Sequence, residues 1–401
     1  MTGQQVRVID AIVGSESLEL ITPSAADNFP SSIQPHIQDT RQPSMPSLVL
    51  GNALVDMHSS SGSPGYEQRE TVASLQAGAV AGGFAKVGIL PHTTPPIDNL
   101  ASAEFWHRQG APFLAWGAIT LGLKGEQIAD LGELAQLVVG FSDGKAIANL
   151  ALLRRAMEYI KPLGKPIMLM PQNPDLASGG VAYQSKWSVE YGLGGIPTAA
   201  ETSALAGLIE LVRLTQTPTH FMRLSTARSV QLIAQAKADD LPITASVVWS
   251  HLCFSEQHLS SYDTNLKFNP PLPSEADRLA LIEGVKTGVI DAIAIDHTPY
   301  TYEEKMVGFE LAPSGAIGLE LALPVLWHEL VETKMLTALE LWRAMSTGPA
   351  RCLGIAPPQQ KIWFAPYLHW TVNHLASLSR NTIYYGQPLK GKVISFSTLE
   401  F

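Results

Sequence analysis

At 401 residues, 46% hydrophobic and 16% charged, the chain has the makeup of a soluble globular protein with a large core, long enough for one large domain or a large and a small one. A formal net charge of −9 and the lack of any basic run argue against a nucleic-acid partner, and no apolar run is long enough to span a bilayer. The N-terminus shows no charged-then-apolar signal pattern, and Cys253 and Cys352 are too few for a disulfide framework, so the expected setting is a reducing cytoplasm.

The first 54 residues do not read as helix. Residues 6–13 and 18–22 are short β-type segments, 23–46 are rich in Pro, Ser, Gln and Asn and read as an exposed loop, and 47–54 return to strand. From Val55 the pattern becomes strand, helix, strand, repeated. Val55 and the runs 87–90, 112–118, 137–141, 166–170, 219–224, 243–249 and 291–295 make eight apolar segments of strand type. Between them, 70–82, 150–163, 201–214, 227–238 and 275–288 carry apolar residues at helical spacing, the first closing on the stop Gly82-Gly83. Eight strands alternating with helices predict an α/β fold, a (β/α)8 TIM-type barrel. Residues 320–332 and 337–345 supply closing helices. After Gly354, residues 362–365, 369–372 and 392–396 revert to strands that would pair with the N-terminal ones. The expected domains are a barrel over 55–355 and a small β domain split between 1–54 and 356–401.

In such barrels chemistry sits at the carboxyl ends of the strands, and there this sequence places polar loops. The first strand runs into Asp56-Met57-His58-Ser59-Ser60-Ser61-Gly62-Ser63-Pro64-Gly65, and the second into Pro91-His92-Thr93-Thr94-Pro95. The first loop resembles the start of the metal-dependent amidohydrolases, specifically the dihydroorotases, whose first strand ends Asp-x-His-x-His-x-Arg-x-Pro-Gly. Asp56, His58, Pro64 and Gly65 fit that frame; Ser60 stands at the second histidine and Gly62 at the arginine. The resemblance continues through Phe141-Ser142-Asp143-Gly144, Ser225-Thr226-Ala227, Lys267-Phe268-Asn269-Pro270-Pro271-Leu272, Asp291 to His297, Gly315 to Glu320, and Ser379-Arg380-Asn381-Thr382 with Gly386.

What the resemblance implies is a zinc-dependent hydrolase of cyclic amides in pyrimidine synthesis. Its small β-sandwich domain is formed by the N- and C-terminal segments. Its metals polarise the scissile carbonyl and lower the pKa of a bound water. Carried over position by position, three metal ligands are kept: His58, Asp143 and Asp296, the last also the family's general base. Three histidine positions are lost, to Ser60, to Met170, whose thioether is suited to packing, and to Arg223, a permanent cation that repels metals. At the substrate grips Asn269 is kept, His92 replaces an asparagine and Tyr300 a histidine, while Gly62 removes the arginine that would fork a carboxylate.

On residue chemistry alone, His58 and His297 also read as hydrogen-bonded core histidines, Asp296 as a carboxylate accepting backbone amides, and Asp143 as a cap on the following turn. His251 reads as a packing residue with one hydrogen bond. Losses concentrated at the chemical face favour a dihydroorotase-like pseudoenzyme with a structural or assembly role and no cofactor. Non-catalytic homologues of this kind resemble assembly subunits that partner aspartate carbamoyltransferase, and a homodimer is the other association expected. The alternatives are an active cyclic amide hydrolase, with one zinc on His58, Asp143 and Asp296 or on a rearranged set including His92, and a binding module that reuses the pocket. Arg223 is expected to point inward and replace the metals' charge by holding both Asp143 and Asp296.

Overall fold

The computed structural model describes residues 6–9, 17–21 and 48–397; the loop expected over 23–46 lies outside them. Three N-terminal strands, β1 (Val6–Ile9), β2 (Ser17–Ile21) and β3 (Leu48–Asn52), form an antiparallel meander. Two long C-terminal strands, introduced below, complete that sheet.

The barrel begins at β4 (Leu54–Ser59) and continues through β5 (Phe84–Ile89), β6 (Phe113–Gly117), β7 (Gly140–Phe141) and β8 (Ile167–Leu169). An excursion follows, in which β9 (Ala182–Tyr183) and β10 (Gly195–Ile196) pair with each other. The last barrel strands are β11 (Thr219–Phe221), β12 (Ile243–Val248) and β13 (Ala292–Ala294). All eight barrel strands pair in parallel, in sequence order from β4 to β13. β4 is buried along its whole length although Asp56, His58 and Ser59 are polar, as befits a barrel strand covered on both faces. Met57, Trp116, Met168 and Ala294, drawn from strands all round the barrel, share one buried cluster, as side chains filling a barrel lumen do.

The helices follow the sequence pattern closely. Val72–Ala81 starts at a Thr71–Ser74 capping box, which satisfies its first amides. It stops where a side chain on Gly82 would lie 2.0 Å from the Leu319 carbonyl oxygen, and Gly83 then takes φ +84°. Leu150–Ile160 buries Leu152, Leu153, Ala156, Met157 and Ile160, a single helical face, against the barrel. The two expected strands over 362–372 are one strand, β14 (Lys361–Thr371), with a register shift between Ala365 and His369. It pairs with β3 and with β15 (Pro388–Ser397). Among the described residues no helix is long and apolar enough to cross a membrane.

First and last barrel strands meet through a seam of backbone and side-chain bonds. The Asp296 amide donates to the His58 carbonyl (3.0 Å), and the Ser60 amide to the His297 carbonyl (2.7 Å). Buried Asp56 reaches across: its Oδ1 accepts the Ile295 amide at 2.8 Å and its Oδ2 the Ser59 hydroxyl at 2.6 Å, while Ser59 Oγ accepts the His297 amide. Burial pushes the Asp56 carboxyl up to about 7, against the pull of those hydrogen bonds.

A raised folded-state pKa means that the native state holds a proton the unfolded chain has released. Asp56 therefore makes stability fall as pH rises from about 4 to about 7. Asp56→Asn keeps the shape without the charge. Its unfolding free energy relative to wild type should rise through that window and level off above it in urea titrations at stepped pH; a flat difference contradicts this account.

Candidate functional site

Arg223 lies two residues beyond β11 and Asp296 two beyond β13, with φ of +58° and +53°. Non-glycine residues rarely adopt that conformation, and here it brings the two side chains together. Arg223 Nε donates to Asp296 Oδ2 at 2.9 Å and Nη2 to Oδ1 at 2.6 Å, a two-pronged fork between side chains each about 10% exposed. Arg223 Nη1 turns to the Gly144 carbonyl (3.1 Å) and the Met170 sulfur (3.7 Å).

His58 completes the cluster, its Nδ1 lying 3.1 Å from Asp296 Oδ1. Burial alone raises the Asp296 carboxyl, but the Arg223 charge and the His58 hydrogen bond outweigh it and hold the group far below the usual carboxylate range. His58 is pushed down by burial, with Asp296 opposing and Arg223 adding. A neutral ring beside an ionised acceptor donates from Nδ1, which leaves the buried Nε2 as an acceptor with no partner among the described residues.

The other sequence-predicted residues take hydrogen-bond or ring partners outside the Arg223–Asp296–His58 cluster. Ser60 Oγ and His92 Nε2 pair at 2.8 Å, with His92 on the exposed rim. Asp143 is buried but turned away from Arg223: its Oδ1 accepts the amides of Ile119 (2.8 Å) and Thr120 (3.0 Å), and its Oδ2 the Thr120 hydroxyl. The expectation that Arg223 holds both carboxylates is thus corrected. It holds Asp296 alone, because the turn at Thr120 already gives Asp143 three donors, and it meets the strand-four loop through the Gly144 carbonyl instead. Nor does Asp143 cap the turn that follows it; the turn it anchors precedes it in sequence. Asn269 and Tyr300 sit at the rim. Asn269 Oδ1 accepts from Gln172 at 2.9 Å, and the Tyr300 ring is flanked by the cations of Arg69 and Lys305.

His251 bonds more fully than expected, with Nε2 near the carbonyls of both Pro270 and Pro271 and Nδ1 near Ser250 Oγ. His297 accepts the Gly318 amide at Nδ1 and faces buried Glu70 at Nε2. Sequence reasoning passed over Glu70, which also takes the Ser377 hydroxyl and the Leu378 amide and so fastens the 376–381 segment to the barrel. Only a carboxylate two residues before an apolar helix marked it.

These donors do not fit a pair of divalent metals. Both Asp296 oxygens are in the guanidinium fork and both Asp143 oxygens are taken by the Thr120 turn, so of the three retained positions His58 alone offers a free ligand atom, its Nε2, too little for two metals. Ser60 and Met170 offer a hydroxyl and a thioether, and a fixed cation occupies the remaining position. Among the described residues no group of three or more His, Cys, Asp and Glu side chains is arranged to hold a metal ion.

An eight-stranded barrel carrying its polar cluster at the carboxyl ends, with a sheet built from both termini, is the architecture of the amidohydrolase superfamily. Among solved structures, L-hydantoinase (dihydropyrimidinase) from Arthrobacter aurescens matches it with a TM-score of 0.75, over 87% of this chain and 83% of that one, at 20% identity. Dihydropyrimidinase from Brevibacillus agri matches with a TM-score of 0.71 over the same shares, at 18% identity. Within the superfamily the chain belongs to the dihydroorotase-like family. It is 41% identical to a dihydroorotase-like protein of Synechocystis sp., over 98% of each chain. To the dihydroorotase of Pelotomaculum thermopropionicum it is 39% identical, over 84% of this chain and 83% of the relative. No family model matches the chain.

Arg223→Ala strands a largely buried carboxylate and should lower the unfolding free energy by about 3–5 kcal/mol at pH 7. The folded-state pKa of Asp296 is depressed, so the stability it carries is present above the unfolded value and lost as pH falls through the folded one. The penalty should therefore hold at neutral pH and shrink in acid, where Asp296 without its partner takes up a proton. A penalty absent at pH 7, or equal from neutral pH to strong acid, contradicts the pairing.

Proposed function

We propose that this chain is a catalytically inactive member of the dihydroorotase-like family. In this reading it serves pyrimidine biosynthesis in the cytoplasm as a structural or assembly subunit, with aspartate carbamoyltransferase as the partner and self-association as a homodimer. The reading rests on one observation: Asp296, the position of the family's base and metal ligand, has both oxygens in the Arg223 fork. A general base works best with a pKa near the operating pH, and this carboxylate is held far below it.

Opening a cyclic amide also needs an electrophile on the carbonyl and an activated water. Arg223 spends three of its nitrogens on Asp296 and Gly144. The substrate side is weakened as well. Gly62 offers no charge, and a Cβ there would lie 2.6 Å from the backbone of Glu70 and Tyr66, so no side chain fits at that position without rebuilding the loop. The barrel itself keeps its closed seam and its capped helices, which supports a role carried by shape.

The test is the full chain purified without chelator, assayed for zinc and for turnover of dihydroorotate and N-carbamoyl-aspartate. Zinc well below one per chain and no turnover above buffer are expected; about one or two zinc per chain with turnover overturns the reading. Mixed with aspartate carbamoyltransferase from the same source, the chain should co-elute with it on gel filtration, and independent elution removes the partner from the reading. Restoring Ser60→His, Met170→His and Arg223→His together should recover zinc binding without family-level turnover, because Gly62 still leaves the substrate carboxylate unclamped. High turnover in that triple variant refutes the stated role of Gly62.

A further inference from the structure

At the rim of the barrel mouth, the excursion after β8 and the loops after β12 and β13 line an open cavity of about 500 Å³. Its wall includes the side chain of Lys267, which is only 8% exposed. The Lys267 ammonium donates to one protein acceptor, the Glu310 carbonyl at 2.7 Å, and among the described residues it forms no ion pair with a carboxylate. Close by, buried Lys305 donates to the carbonyls of Thr264 (2.9 Å) and Pro313 (2.8 Å) and lies over the Tyr300 ring, and among the described residues it forms no ion pair with a carboxylate. Burial and the neighbouring Lys267 charge push Lys305 down to about 7, and burial likewise lowers Lys267.

Two ammonium groups thus share one buried corner with backbone carbonyls as their hydrogen-bond partners. Buried charges are ordinarily paired, since removing an unpaired charge from water is expensive. The Glu310 carboxylate, on the same wall, acts on Lys267 from beyond ion-pair distance.

The rest of the wall adds donors and apolar surface. Asn269 has its oxygen engaged by Gln172, which leaves its amide hydrogens for the cavity, and Ser314 brings a hydroxyl. The Gly315 amide bonds the Lys267 carbonyl at 2.8 Å and holds the Ser314 loop against Lys267. Pro174, Ile196, Phe268 and Pro271 complete the lining. An ammonium, amide hydrogens and a hydroxyl thus converge on one cavity beside a few apolar side chains, an arrangement that orients a small polar ligand.

We propose that this cavity binds a small organic anion, with a carboxylate or phosphoryl group on the Lys267 ammonium and the Asn269 and Ser314 donors, and its apolar body against Phe268 and Ile196. Such an anion gives Lys267 a counter-charge and relieves its repulsion with Lys305. None of His58, Arg223 and Asp296 lines the cavity, while Asn269, a substrate-grip position in the resembled family, does, so the cavity adjoins the barrel mouth and is tested by binding rather than by turnover.

Calorimetric titration of the full chain with phenyl phosphate and with benzoate tells the two anion chemistries apart, with benzamide as the neutral control. At least one anion should bind saturably while benzamide does not. Lys267→Gln should weaken that binding by about tenfold or more, and Lys267→Arg should retain it in part. Should Lys267→Gln not fold, Ser314→Ala and Asn269→Ala, which change partly or fully exposed rim residues, should each weaken binding in the folded chain. No saturable binding of either anion, equal binding of benzamide, or affinity indifferent to these substitutions overturns the proposal.

Discussion

The ion pair between Arg223 and Asp296 sets the electrostatics of the barrel mouth, and the neighbouring groups take their states from it. Both partners sit at positive φ, each at a cost of order 1–3 kcal/mol. A surrounding structure keeps such residues only where it over-determines them, and a fork of two short hydrogen bonds between largely buried charges does so. With Asp296 ionised, His58 stays neutral and donates to it. Met170 lays its polarisable sulfur 3.7 Å from Arg223 Nη1. At the centre of the mouth the Arg223 guanidinium therefore faces the Asp296 carboxylate.

That pair is coupled to the closure of the barrel. Asp296 lies between Ile295, whose amide is held by Asp56, and His297, whose amide is held by Ser59; its own amide bonds the His58 carbonyl. The turn that presents Asp296 and His58 is thus the seam joining first strand to last. This gives a physical reason for finding the frame residues Asp56, His58 and Asp296 beside replaced ligands at Ser60, Met170 and Arg223. The frame residues hold the barrel shut whether or not a metal is bound, whereas Met170 and Arg223 bond only at the mouth.

The rim is built from longer-range contacts. Arg69 lies over the Tyr66 ring, faces the Tyr300 ring and bonds Glu304, which ties the loop after the first barrel strand to the loop after the last. Glu70 fastens the 376–381 segment beside it. Across the mouth, the excursion between β8 and its helix supplies the wall of the Lys267 cavity. Each of these pieces joins residues more than two hundred positions apart or belongs to short irregular segments.

The eight strand runs, the helices between them and the strand-end polar loops were legible in the sequence, because alternating apolar periods and glycine stops are local signals. Asp56, His58, Ser60, Gly62, Met170, Arg223 and Asp296 could likewise be placed by the resemblance alone, since register along a strand carries each to the same end of the barrel. The partner of each side chain could not be read that way. Asp143 and Asp296 look equivalent in the sequence, yet one is satisfied by the amides and hydroxyl of the Thr120 turn and the other by a cation from the segment after β11. The β9–β10 pair is two residues per strand, too short to show a period, and Lys267 reads as an ordinary lysine until folding buries its ammonium beside Lys305. The sequence by itself determined which elements form and which residues stand at the barrel mouth. Which charges meet there was decided only by the tertiary structure, because pairing depends on distances between loops that share no local pattern.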